Sequence, residues 1–184
     1  MRTRLAFAAC LISAGLGVAP AEVLDSAPSG FTVKSTVAIQ APPDAVYGAF
    51  LRHIGEWWDS VHTFSGDARN LSIEEKPMGC FCEQLPQQGA ARHMEILRLA
   101  PGKTMVLSGA LGPMQTMAAA ATLTIQLSAA AGGTALEATY AVAGYSPAGL
   151  NTLAPAVDQV LNQQFARLKE YVEHGKLAAG GAAR

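Results

Sequence analysis

Apolar side chains recur at steps of three and four through the last long stretch of the chain. Leu153, Val157, Val160, Leu161, Phe165, Leu168, Tyr171 and Val172 form one wide stripe with Gln164, and Asp158, Gln159, Asn162, Arg167, Lys169 and Glu170 cover the other faces. That period predicts an amphipathic α-helix over about 150–174. Upstream, between 31 and 143, the dominant period is two. Phe31, Val33, Val37 and Ile39 alternate with Thr32, Lys34, Thr36 and Gln40, which reads as a half-buried strand. Ala41-Pro42-Pro43-Asp44 stops that strand and suits a helix start. Ala45, Val46, Ala49, Phe50 and Ile54 then follow at helical spacing to about Trp57, with Gly55 weakening the end. Further short strands are expected at about 70–74, 80–85, 91–99, 104–111, 122–128 and 136–142. Turn formers separate them, among them Lys76-Pro77-Met78-Gly79, Pro86-Gln87-Gln88-Gly89 and Gly132-Gly133.

The expected order is strand, helix, six strands, helix. Hairpin-length connections favour antiparallel pairing. This predicts an α+β domain in which a curved antiparallel sheet of about seven strands wraps around a long C-terminal helix. Only that helix is long enough to cover the open side of the sheet. The two surfaces cannot touch everywhere, so a cavity between them is expected, with Leu161, Phe165 and Leu168 as its inner wall.

The ends modify this picture. Arg2 and Arg4, the apolar run Leu5 to Val18 broken only by small residues and Ser13, and Ala19-Pro20-Ala21 together read as a secretory signal peptide over 1–21, cleaved after about Ala21. The run is shorter than the ~20 residues that a spanning helix needs. Cys10 lies inside it without a lipobox. Residues 22–30 are expected as a flexible lead-in, 31–174 as the domain and 175–184 as a Gly- and Ala-rich flexible tail. The expected location is therefore periplasmic or secreted, with no membrane span in the mature chain. Charged residues make up 15% of the sequence, and its formal net charge is −1. Without a basic excess, nucleic acid is not an expected partner.

No standard catalytic or cofactor motif is present, and no cofactor is expected. Gly144-Tyr145-Ser146-Pro147-Ala148 has alanine where a nucleophile elbow needs its second glycine. Ser146 reads instead as a helix N-cap, with Pro147 as the first helical residue. Gly102-Lys103-Thr104 lacks the glycine required five residues earlier by a phosphate-binding loop, Leu97 standing there. Cys80 and Cys82 are separated only by Phe81. On a regular strand they share a face with Cα atoms about 6.6 Å apart, so a disulfide between them requires a bulge or kink. Export favours the bonded state, and free buried thiols are the other reading. If Cys82 lies opposite His93, then Cys80, Cys82, His93 and Glu95 share a face and form a zinc set of acceptable type. A register shift of one moves His93 to the face of Phe81 and Glu83.

Both tryptophans of the chain fall in one stretch, Gly55-Glu-Trp57-Trp58-Asp59-Ser-Val-His62-Thr-Phe-Ser-Gly-Asp67. As a cavity mouth, it would offer Trp57 and Trp58 for stacking and His62 as hydrogen-bond partner or general acid/base, with Asp59 or Asp67 beside it. As a structural lid, its aspartates would close turns. Met105, Leu107, Leu111 and Met114 could line the interior with the helix, since methionine adapts to irregular apolar shapes.

The element order over 31–174, Ala41-Pro42-Pro43-Asp44-Ala45-Val46-Tyr47 opening the first helix, Trp57-Trp58 and the closing amphipathic helix resemble the helix-grip superfamily, also called SRPBCC. This superfamily includes START lipid-binding domains, the birch-pollen-allergen family, polyketide cyclase and dehydrase-like proteins and heat-shock-ATPase activator homologues. Trp57-Trp58-Asp59-Ser60-Val61-His62-Thr63 and Leu111-Gly112-Pro113-Met114-Gln115 are similar to strings in small exported bacterial members. The resemblance implies a hydrophobic ligand cavity. It leaves three functions in view, because one fold hosts many activities. These are an exported binder of a small hydrophobic molecule (a lipid, polyketide or aromatic), a cyclase or dehydrase-type enzyme using His62, and a protein-interaction module like the ATPase activators. Export argues against the third.

Overall fold

In the computed structural model, which describes residues 22–175, the alternation of the first long strand runs without a break. In β2 (Gly30–Ile39), Phe31, Val33, Ser35, Val37 and Ile39 are buried and the residues between them half-exposed. Pro43 then opens α1 (Pro43–Arg52), where a missing N–H and a fixed φ do no harm. His53 separates it from α2 (Ile54–Trp57). With β1 (Glu22–Ala27) and β2, the later strands β3 (Leu71–Ile73), β4 (Cys80–Leu85), β5 (Gly89–Ala100), β6 (Thr104–Ser108), β7 (Ala118–Ala130) and β8 (Gly133–Tyr145) complete one eight-stranded sheet. Its order is β1-β2-β8-β7-β6-β5-β4-β3, and every neighbouring pair is antiparallel. α3 (Ala154–His174) packs on its buried face, giving the α+β helix-grip architecture.

Two boundaries differ from expectation. The stretch expected as a lead-in supplies β1, which pairs with β2 from Glu22↔Lys34 to Ala27↔Gly30 and makes the sheet eight-stranded. All six of its side chains are exposed, so it carries no burial alternation that could announce a strand; backbone pairing alone defines it. The long helix does not begin at Ser146. Ser146 O instead accepts from Gly149 N–H in a turn, a 3-10 turn occupies Leu150–Leu153, and Pro155 lies in the first turn of α3. The signal peptide over 1–21 and nearly all of the 175–184 tail lie outside the described residues. Among the described residues no helix is long and apolar enough to cross a membrane.

α3 is latched along its second half. Lys169 Nζ donates to Ala38 O at 2.6 Å, and Glu173 accepts from Gln40 N–H at 2.6 Å, fixing the helix to the end of β2. Arg167 Nε donates to Trp57 O at 2.8 Å, and Gln164 Oε1 accepts from Asp59 N–H at 2.8 Å, fixing it to the segment after α1. Gln164, Phe165 and Leu168 are buried between these latches. Among the described residues no such hydrogen bond ties its first two turns to the sheet, and a cavity lies beneath them.

Candidate functional site

The site begins with a defect in the sheet. β4 and β5 pair Cys80↔Glu95 and Phe81↔Met94, then skip to Cys82↔Arg92. His93 is the extra residue of a β-bulge, so it and Met94 are both buried although they are consecutive. A bulge re-aims a side chain that regular alternation would send outward. His93 Nε2 thereby meets Glu83 Oε2 at 2.8 Å on the inner face. Gly109 at the end of β6 fits this crowding. It has φ +155°, and a Cβ there would collide with His93 O.

On the outer side, Cys80 and Cys82 are disulfide-bonded with Cα atoms 5.3 Å apart. That is shorter than the ~6.6 Å of an extended strand, so β4 contracts where β5 carries its extra residue. The four-residue zinc set is thus overturned. The thiols are consumed in a disulfide, and the bulge carries His93 to the face of Phe81 and Glu83. Glu95 pairs with Arg92 at 3.0 Å. Among the described residues no group of three or more His, Cys, Asp or Glu could hold a metal ion.

Glu83 is buried as an acceptor. Its carboxylate receives Phe64 N–H at 3.0 Å, Ser65 N–H, and His93. Burial pushes its pKa up, but the hydrogen bonds from Ser65, Phe64 and His93 outweigh burial and hold it below the usual glutamate value. Gln115 Nε2 donates to His93 Nδ1 at 3.2 Å. With both contacts made, the neutral imidazole carries its proton on Nε2 and presents Nδ1 as an acceptor.

Rings extend from this pair. Phe64 stacks on His93 with centroids 5.4 Å apart and planes 13° apart, and Phe81 lies 5.1 Å away on another side. Trp58 meets Phe81 edge-on at 5.8 Å, and Trp57 lies 5.6 Å behind Trp58. Trp58 Nε1 donates to His62 O at 3.2 Å, tying the loop to the end of α2. Tyr140 fixes the opposite rim, its hydroxyl accepting from Leu111 N–H at 2.8 Å and donating to Gly109 O at 3.2 Å. Burial pushes its pKa up to about 12, so it serves as a neutral hydroxyl.

Between these walls and the start of α3 lies a cavity of about 340 Å³. Val157, Val160 and Leu161 line it from the helix and Leu153 from the turn before it, Leu111, Pro113 and Met114 from the segment after β6, and Trp58, Phe64, Phe81, His62 and His93 from the remaining side. Another hollow, of about 530 Å³, is lined by Thr36, Lys103, Gln126 and Glu137 among others and by no aromatic ring. The first is the one suited to an apolar guest.

Of the residues expected to bind a ligand, Trp58, His62, Leu111, Met114 and Leu161 line this cavity. Trp57, Met105, Leu107, Phe165 and Leu168 do not; they are buried in the core. Trp57 donates its indole N–H to Ala49 O at 3.0 Å. Asp59 caps the 3-10 turn Ser60–His62 by accepting from Val61 N–H at 3.1 Å, and also accepts from Gln163. Asp67 caps the turn Ala68–Asn70 and pairs with Arg69, which holds its pKa low. Neither carboxylate hydrogen-bonds to His62 among the described residues, and neither lines the cavity. Glu83, Phe64 and Phe81 were missed. Period two in β4 carried a signal for Glu83, since a buried Phe81 puts it on the same inward face.

The eight-stranded antiparallel sheet closed by one long helix, with an apolar cavity beneath the first turns of that helix, defines a helix-grip protein. Residues 30–173 match the family model described as polyketide cyclase / dehydrase and lipid transport, and the chain belongs to that family. Solved structures agree on the fold. Protein MLL2253 from Mesorhizobium loti is 20% identical with TM-score 0.59, the match covering 79% of this chain and 99% of that one. A protein from Rhizobium leguminosarum is 18% identical with TM-score 0.60, over 83% and 96% of the two chains. CalU16 from Micromonospora echinospora is 18% identical with TM-score 0.51, over 82% and 78%. No curated protein matches the chain.

Proposed function

We propose that this protein is an exported binder of a small hydrophobic molecule (a lipid, polyketide or aromatic) held between the sheet and the first turns of α3. The observation that carries the reading is the cavity itself. It measures about 340 Å³, its walls are mostly apolar, and the exposed apolar side chains of Val61 and Phe64 are among those that line it. Such side chains are apolar surface that a guest would cover. The family's description, polyketide cyclase / dehydrase and lipid transport, points to the same kind of guest. Export is supported by the basic start, the apolar run and Ala19-Pro20-Ala21. The enzymatic reading built on His62 with Asp59 or Asp67 loses both aspartate partners, which are engaged in capping turns, while His62 itself lines the cavity.

Native mass spectrometry of protein purified from its own host tests the proposal. A bound small molecule is the expected result, released when the protein is denatured. Repeated recovery of an empty chain that takes up no apolar probe overturns it.

A further inference from the structure

The few polar groups in the cavity lining make its chemistry selective. Among the described residues no lysine, arginine, aspartate or glutamate lines it. A carboxylate or phosphate headgroup would therefore meet no fixed cation inside, and the buried carboxylate of Glu83 stands behind His93. Burying a charged headgroup without a partner is strongly unfavourable. The polar side chains in the lining are His62, Thr63 and His93, drawn from the loop after α2 and from β5. His93 alone of these is fixed on several sides. Its ring is stacked on Phe64, packed against Phe81 and bonded to Glu83.

Glu83 decides what His93 can do. A buried carboxylate on Nε2 keeps the proton there and leaves the lone pair on Nδ1. Nδ1 now receives Gln115 Nε2 at 3.2 Å, at the long limit for such a bond. Gln115 belongs to the 3-10 segment Gly112–Thr116, whose Gly112, Pro113 and Met114 line the same cavity. A guest hydroxyl is a donor of the same kind as the Gln115 amide, and it can take that place.

We propose that His93, oriented by Glu83, is the polar anchor of the cavity and selects uncharged, ring-containing molecules bearing an acidic hydroxyl, a phenol or an enol. This assignment rests on the binding reading above and narrows it. The hydroxyl donates to Nδ1 while its ring lies among Trp58, Phe64 and Phe81. The volume of about 340 Å³ lies near the lower end of the ~300–1,000 Å³ range of small-molecule pockets, which suits one or two rings rather than a two-chain lipid. Nδ1 offers a donorless headgroup nothing, and an anionic one finds no cation.

Three probes test this by calorimetry on the purified protein: naphthalene, 2-naphthol and decanoate. We expect 2-naphthol to bind about three- to tenfold more tightly than naphthalene, because its hydroxyl replaces the longer bond from Gln115, and decanoate to bind more weakly than 2-naphthol. In His93→Phe, which keeps a ring at the stack, that preference should vanish while naphthalene still binds. Because His93→Phe removes one of the three donors to buried Glu83, Gln115→Leu provides a second test. Removing the competing donor should raise 2-naphthol affinity and leave naphthalene unchanged. Equal affinity for naphthalene and 2-naphthol, a preference surviving in His93→Phe, or decanoate binding most tightly overturns the anchor and leaves the binding reading standing. Loss of the preference in Gln115→Leu identifies Gln115 as the anchor and also overturns the role of His93. Failure of all three probes to bind overturns both proposals.

Discussion

Replacing Glu83 by leucine should destabilise the protein by about 3–5 kcal/mol, because three N–H donors lose a charged acceptor at once. The Glu83 side chain is fully buried, and 6% of the His93 side chain is accessible. Leucine fills comparable space and accepts no hydrogen bond. It orphans the N–H groups of Phe64 and Ser65 and the Nε2–H of His93. Each buried donor left unmade costs about 1–3 kcal/mol. Phe64 is exposed and Ser65 half-exposed, so water recovers part of that loss and keeps the total near the stated range. Glu83→Gln should fall between wild type and leucine, since its amide retains one acceptor oxygen but turns an NH2 group toward a donor. The pH dependence gives an independent check. Burial raises the Glu83 pKa and the hydrogen bonds lower it by more, for a net decrease in the folded state. A lowered folded pKa gives stabilisation that is complete above the unfolded carboxyl value of about 4.3 and lost as pH falls through the folded value. The gap between wild type and Glu83→Leu should therefore hold from about pH 7 to 5 and narrow below about 4. Urea unfolding followed by far-UV circular dichroism at several pH values measures it. A gap under about 1 kcal/mol at neutral pH, or one that widens on acidification, would refute the reasoning.

Three further predictions concern the surroundings of the site. Leu161→Trp should leave stability within about 1 kcal/mol, because the added ring enters the cavity, while uptake of apolar probes falls; a loss of about 3 kcal/mol or more would mean the helix packs on a solid core there. Gly109→Ala should destabilise by about 1–3 kcal/mol and shift the His93 imidazole signals in NMR, because the new Cβ meets His93 O at a position of positive φ; an unperturbed His93 spectrum would contradict the close fit. Reducing the Cys80–Cys82 bond should lower the thermal midpoint only modestly, since closing so short a loop is worth about 1–2 kcal/mol in the chain-entropy view. An unchanged midpoint in Cys80→Ser/Cys82→Ser would show that the disulfide does not restrain the strand.

The sequence by itself determined the layers of this protein. Period two in Phe31–Ile39 and period 3.6 in the C-terminal stripe each reflect which side chains must leave water, and burial of one face requires no knowledge of the partner surface. Those patterns were enough to predict antiparallel strands, a covering helix and a cavity between them. The tertiary structure decided which side chains line it. β1 is held by backbone pairing and shows no alternation of buried and exposed side chains, so no pattern could mark it. His93 faces inward because one bulge in β5 adds a residue, and a register change of one residue reverses a side chain's face. Leu161 reaches the cavity while Phe165 and Leu168 do not, because latches from Gln164, Arg167, Lys169 and Glu173 close the second half of α3 onto the core. Periodicity tells which face of an element is buried; only packing decides whether that face meets other side chains or empty space.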